Sequence, residues 1–258
     1  MFEADRANYH TGKRISVTML TGSCKRKTLL ERTLPYYLEP NQVLPTVRGS
    51  LIHSMVETAK DHIEKYIGKT YWQFELHMKL PVTTAAGEWE LAGTLDAWEE
   101  LRQTIHDIKT LQEYAVFKMV TGGNEATWSD HIPDYYVLQL NFYRYMAEKL
   151  YKYVVKRLRM QLIGFGQFIT TGHDRQIVGL KKGFKWTRDE YDVPDVPILP
   201  DKVIEGIIQE EGDLWYRILF EGAKAAVCSK DYSWLCKSCQ FKGTRWCPDP
   251  DKERKDES

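Results

Sequence analysis

The stretch Trp72–Lys109, WQFELHMKLPVTTAAGEWELAGTLDAWEELRQTIHDIK, decides the fold class. Trp72, Phe74, Leu76, Met78 and Leu80 alternate with other residues. That is the period of a half-buried strand, because successive strand side chains point to opposite faces. Thr83–Gly87 reads as a turn. Trp89, Leu91, Gly93, Leu95 and Ala97 continue the alternation in a second strand, and Gln103–Lys109 supplies a shorter third. Three strands at this spacing predict an antiparallel meander.

Outward from the meander the period becomes helical. Gly49 to Ile67 reads as a helix, with Ile52, Met55, Val56, Ala59, Ile63 and Ile67 on one face and Gly68 as its stop. Before it, Met19–Leu34 reads as one helix that Ser16 or Thr18 can cap, followed by a connection punctuated by Pro35, Pro40 and Pro45. After the meander, Pro133 to Leu150 is helical and Tyr151–Gly164 contains a strand. A hairpin near Gly172–Asp174 leads to a short strand Ile177–Leu180, and a last helix runs from Asp201 to Ala226. This order predicts an α/β fold, a central mixed β-sheet with the antiparallel meander at its core and helices flanking it.

The chain has 258 residues, with 36 Lys+Arg against 36 Asp+Glu, 43% hydrophobic and 12% aromatic residues. That is enough apolar mass for a real core, in one large domain or two small ones. Zero net charge argues against a generally polycationic coating protein, but a local basic groove is compatible with it. The N-terminal MFEADRANYH is charged and has no apolar centre, so it reads as neither signal nor transit peptide. The longest run without an ionised side chain, Met160–His173, is too short and too polar to span a bilayer. A soluble, cytoplasmic protein without a membrane partner is expected. Five cysteines, with Cys228, Cys236, Cys239 and Cys247 clustered near the C-terminus, suggest a metal or cluster site more than a disulfide framework.

The second and third strands carry the chemistry. Asp107 and Lys109 are two apart, so they project from one face of their strand, and the turn between antiparallel strands can return Asp96 next to Asp107. Two carboxylates and an ammonium then converge. A hard cation such as Mg²⁺ is held by one or two carboxylates plus waters and substrate phosphate; it polarises a phosphodiester and activates water, and a neighbouring lysine offsets the developing charge. Taken alone, a D-x-K pair on a strand reads first as an ordinary surface ion pair. His106 must point to the opposite face from Asp107, and Glu75 on the first strand could approach a metal but reads first as a solvated charge.

The order of the motifs adds to this. Gly49-Ser50-Leu51-Ile52-His53, Gly93-Thr94-Leu95-Asp96, Asp107-Ile108-Lys109-Thr110 and Gln139-Leu140-Asn141-Phe142-Tyr143 follow one another as helical G-x-x-x-H, G-x-x-D, D/E-x-K with a following Thr, and Q-x-x-x-Y. This ordered set resembles the PD-(D/E)XK nuclease superfamily in its RecB-like branch, with motifs spread over residues 14–150. The resemblance implies a restriction-endonuclease-like fold, with 1–258 a single nuclease domain carrying a cysteine-rich segment at 228–248. It implies that His53, Asp96, Asp107 and the Ile108 carbonyl ligate Mg²⁺ or Mn²⁺, that Lys109 acts on the nucleophilic water, and that Gln139 and Tyr143 contact DNA. One departure is that Asp107 stands where many relatives have Glu.

Cys236-x-x-Cys239 and Cys247 supply three thiols, and tetrahedral coordination needs a fourth. Cys228 would complete a local unit suited to zinc. Cys24, more than 200 residues away, would complete a one-plus-three arrangement that resembles the four-cysteine exonucleases of the RecB-like branch, which hold a [4Fe-4S] cluster. The reading favours Cys24 and leaves Cys228 as the alternative ligand. Lys25-Arg26-Lys27, Lys152, Lys156, Arg157, Arg159, Lys181, Lys182 and Lys185 are candidate sources of positive charge for DNA. The expectation is a metal-dependent DNA exonuclease of recombination, repair or phage DNA metabolism. A CRISPR-associated exonuclease processing spacer precursors, with adaptation proteins as partners, is the alternative within that class. The alternative outside it is a non-catalytic DNA-binding module organised by a cysteine-ligated metal.

Overall fold

The computed structural model describes residues 2–3, 13–22, 24–34, 37–38, 71–112, 132, 134–165, 195–226, 236 and 239–248, with scattered positions between 47 and 66. The chain divides into two compact units, Met1–Leu44 with Met78–Gly93 and Pro200–Ser258, and Pro45–His77 with Thr94–Leu199. The sheet is mixed. Strands β4 (Trp72–Thr84) and β5 (Gly87–Glu99) form a hairpin through a two-residue turn, and β6 (Thr104–Gln112) returns antiparallel to β5, pairing Ala97 with His106 and Glu99 with Thr104. The predicted meander is present, and its strands extend a few residues beyond their expected ends.

Two parallel pairings make the sheet mixed. Strand β2 (Arg14–Ser16) pairs with Glu90–Ala92 of β5, and β7 (Arg157–Phe165) pairs with the whole of β6. The short β2 has no periodic signal in three residues, and the sequence reading passes over it. A separate two-stranded sheet joins β1 (Phe2–Glu3) to β3 (Tyr37–Leu38).

The first helix differs from its expectation. In place of one helix over Met19–Leu34 there are two, α1 (Val17–Leu20) and α2 (Lys25–Thr33). Ser16 caps α1 by accepting from the Met19 N–H at 3.3 Å, as its position predicts. α1 ends at Thr21, whose N–H donates to the Val17 carbonyl, and Cys24, with extended backbone, starts α2 afresh.

In the first unit the core gathers Ile15, Val17, Met19, Leu20, Met78, Trp89, Leu91 and, from helix α4 (Asp201–Phe220), Ile204, Ile208 and Trp215. The Trp215 indole donates to the Met19 carbonyl at 2.9 Å, so its one polar atom is satisfied within the core. Gly212 lies against the Trp89 ring so closely that a Cβ there would collide with it. In the second unit Leu95, Ala97, Trp98, Ile105, Leu158 and Met160 of the strands are buried, as are Leu140, Phe142, Met146 and Ala147 of helix α3 (Asp134–Tyr151). Within α3, the fully buried Asn141 donates to the Val137 and Pro197 carbonyls and accepts from the Leu199 N–H, tying the segment before α4 to the helix. The described positions between 47 and 66 are helical. The hairpin expected near Gly172–Asp174 and the strand Ile177–Leu180 lie outside the described residues, and among those described no helix is long and apolar enough to cross a membrane.

The fit of Trp89 against Gly212 gives a direct check. Gly212→Ala is expected to lower unfolding stability by about 1–3 kcal/mol, because the added methyl must displace a packed indole; urea denaturation measures it, and an unchanged midpoint would contradict the packing.

Candidate metal and phosphodiester site

The register of the meander places the carboxylates. Its turn sets Thr84 opposite Gly87; farther along, His77 Nδ1 lies 2.9 Å from Thr94 Oγ1, and the Glu100 N–H donates to the Tyr71 carbonyl at 2.8 Å. The same register sets Glu75 opposite Asp96. Across the other edge of β5, one step beyond the Ala97–His106 pair, Asp96 comes opposite Asp107. Directly opposed residues of antiparallel strands share a face. Glu75, Asp96 and Asp107 therefore form a row across three strands, all within the second unit.

The ladder between β5 and β6 ends at that row. Past Ala97–His106 the Asp96 side chain takes over, Oδ2 accepting from the Ile108 N–H at 2.7 Å. Asp107 is 1% exposed. Lys109 Nζ donates to its Oδ1 at 2.8 Å and stands as close to Oδ2, so one ammonium meets both buried oxygens. The Lys109 ammonium also lies 5.4 Å from the centre of the Tyr136 ring.

Helix α3 contributes the other two residues that the motifs single out. Gln139 and Tyr143, one turn apart, are both buried, and Gln139 Nε2 donates to the Tyr143 hydroxyl at 2.9 Å. Burial raises the Tyr143 phenol above its ordinary value. The Gln139 bond pulls the other way, and the negative fields of Asp107, Asp96 and Glu75 add to the rise. Tyr136 is raised by burial, by its contact with Tyr135 and by Asp107. Both phenols stay protonated at neutral pH.

On the opposite face of β6, His106 lies 3.2 Å from Glu99 and 3.0 Å from Gln161 and packs on the Trp72 ring. Burial holds its imidazole below the ordinary value, with Glu99 offsetting part of the effect. It takes no part in the carboxylate row.

His53 and Cys228 lie outside the described residues. Asp96, Asp107, Lys109, Gln139 and Tyr143 are brought together. Glu75, first read as a solvated charge, joins them half-buried. The signal that finds it is the hairpin register, counted from the turn. Among the described residues no three His, Cys, Asp or Glu side chains stand in a ligating arrangement. The carboxylates suit a hard cation in kind, as adjacent oxygen donors, with the Lys109 ammonium held on Asp107 in this arrangement.

The described cysteines belong to the first unit. Cys24 stands at the N-terminal boundary of α2 without a side-chain capping bond, Cys236 and Cys247 are buried, and Cys239 is half-buried. Cys239 and Cys247 pack with Leu30, Leu34 and Phe241, so α2 and the C-terminal segment share one apolar cluster. Arg26 adds backbone and side-chain bonds to the Ala226 and Ala225 carbonyls, and Gln240 donates to Glu31. Of the candidate DNA-facing cations, Lys25 pairs with Glu211, Lys27 with Glu31, and Arg157 and Arg159 with Asp195.

No family model matches the chain, and no curated protein matches it. Among solved structures it is similar to the crystal structure of SSO0001, at 14% identity and a TM-score of 0.48 over 91% of this chain and 86% of that one. A likeness of that size carries no argument about function.

Proposed function

We propose that the chain is a metal-dependent deoxyribonuclease with the restriction-endonuclease-like fold of the RecB-like PD-(D/E)XK nucleases. It acts as an exonuclease on DNA ends or single strands, in recombination, repair or phage DNA metabolism. The observation that carries this reading is the meeting of Asp96, Asp107 and Lys109 at the end of the β5–β6 ladder, with Gln139 and Tyr143 beside them. An ordinary surface ion pair would not bury its carboxylate to 1% exposure.

Asp96 and Asp107 would hold Mg²⁺ or Mn²⁺, joined by the Ile108 carbonyl and His53 as the family resemblance implies. When bound, the cation supplies positive charge for the phosphodiester and a lowered pKa for attacking water. The remaining work belongs to the chain's own groups. Asp96 is held by the Ile108 N–H, so its second oxygen is aimed by the strand rather than by a flexible stem. Lys109, on a long stem, orients the attacking water and offsets the negative charge that grows on the non-bridging oxygens. Gln139 fills one lone pair of the Tyr143 oxygen, which leaves the phenolic proton to donate toward the carboxylates or a bound phosphate.

Cys24, Cys236, Cys239 and Cys247 would hold a [4Fe-4S] cluster, with zinc as the alternative metal. The common apolar cluster of α2 and the C-terminal segment supports this pairing of distant parts of the sequence. Hydrolysis involves no net redox change, so the cluster's role would be to fasten that segment.

Fluorescent single-stranded and duplex DNA, incubated with the full chain and Mg²⁺ or Mn²⁺, tests the nuclease. Cleavage is expected, stopped by chelation and lowered by at least about 10²-fold in Asp107→Ala and Lys109→Ala. A well-folded wild type that binds DNA without cutting it would instead support a DNA-binding module. Separately, anaerobically purified protein is expected to contain iron and to absorb in the visible, with both lost in Cys24→Ala. Retention of the metal in that variant would point to Cys228.

A further inference from the structure

We propose that Tyr151 and Tyr153, stacked outward from Trp98, form a subsite that seats an unpaired base of the DNA strand beside the carboxylates. The inference rests on the nuclease reading above and deepens it, because it selects a single strand or frayed end over a blunt duplex as substrate. Neither tyrosine belongs to the ordered motifs, and all three rings lie in the second unit.

Three rings follow one another outward from β5. Trp98 is buried, and the Tyr153 ring stacks on it with centroids 4.6 Å apart and planes within 9°. Tyr151 comes next, 5.3 Å from Tyr153 and tilted by 36°, and is 41% exposed. Both tyrosines are anchored by their hydroxyls to β4, Tyr153 donating to the Gln73 side-chain oxygen at 2.8 Å and Tyr151 to the His77 carbonyl at 3.3 Å. The backbone sets this up. Lys152, with φ 59°, turns the chain out of α3, and Tyr153 comes to lie beside Tyr151. An outer ring that is fixed in this way and open to solvent offers a face already in place, so a ligand need order little to use it.

Charge and place identify the occupant. Lys149, Lys152 and Lys156 are exposed and flank the tyrosines in sequence. Of the acids nearby, Glu148 is engaged by Arg144 at 2.6 Å, and Glu100 is the one whose field Tyr153 feels. Aromatic faces interleaved with ammonium groups suit a base and the phosphates that join it to its neighbours. Trp98 stands two residues along β5 from Asp96, on the same face and about 7 Å away. A strand with one base on the stack therefore carries a neighbouring phosphate toward Asp96 and Asp107. Every base has a face to stack, but bases inside a duplex already stack on one another, so the subsite favours unpaired DNA of any sequence.

Fluorescence anisotropy of a labelled oligothymidylate with the full chain, in chelator so that nothing is cut, tests the subsite. The same strand with abasic positions and a blunt duplex of equal length serve as controls. Wild type is expected to bind the oligothymidylate more tightly than either control. Y151L keeps the bulk and removes the aromatic face; it is expected to bind the oligothymidylate roughly 5–100-fold more weakly, with its melting temperature and its affinity for the abasic strand unchanged. Y151F, which keeps the ring, is expected to bind as wild type does. A residue that served only the fold would instead lower the melting temperature in Y151L and weaken all three DNAs alike. Equal oligothymidylate affinity in wild type and Y151L, or no preference of wild type for the strand that carries bases, would overturn the subsite. Metal-dependent cleavage by wild type alongside that result leaves the nuclease reading standing. A wild type that shows the preference but never cuts would remove the nuclease reading, and with it the subsite's part in substrate choice.

Discussion

The hydrogen bond from the Ile108 N–H to Asp96 Oδ2, 2.7 Å long, holds β6 to β5 at the point where their backbone ladder stops. A side chain replaces a carbonyl there, and two consequences follow. The Ile108 N–H, which β5 would otherwise leave without an acceptor at the end of the ladder, is satisfied. Asp96 is fixed opposite Asp107, which by strand alternation brings Lys109 to the same face. The register of the candidate site, Glu75 included, therefore depends on one short bond and the hairpin turn that precedes it.

Much of this was legible in the sequence because it follows from period two. The alternation of Trp72 to Leu80 and of Trp89 to Ala97 defined the strands, and the spacing of Asp96, Asp107 and Lys109 defined their shared face. Gln139 and Tyr143, four apart, defined a helix face. Other features left no periodic trace. The three-residue β2 earns its place by parallel pairing with β5, a long-range contact that no local pattern reports. The division of the expected first helix reflects the extended backbone of Cys24, where the sequence showed only scattered leucines at tolerable spacing. Glu75 looked like an ordinary alternating charge, because its place opposite Asp96 exists only once the strand is paired.

The cysteine distribution divides in the same way. Spacing marks Cys236, Cys239 and Cys247 as a group, but it cannot say what lies against them. Leu30 of α2 and Leu34 just after it do, and Arg26 reaches the chain just before the cysteine-rich segment. A cluster or metal at these thiols would reinforce an association that apolar packing and hydrogen bonds already make. The carboxylate row belongs to the other unit, so its chemistry and the thiol chemistry can be tested separately.

The central claim is that Asp96 and Asp107 hold a divalent cation. Anomalous diffraction from crystals soaked in Mn²⁺ tests it most directly. The account predicts a peak within about 2.0–2.6 Å of one oxygen from each carboxylate, with the Lys109 ammonium displaced from Asp107 to make room. A well-ordered Asp96–Asp107 pair with no anomalous density between its carboxylates, at Mn²⁺ concentrations that saturate binding in solution, would contradict it.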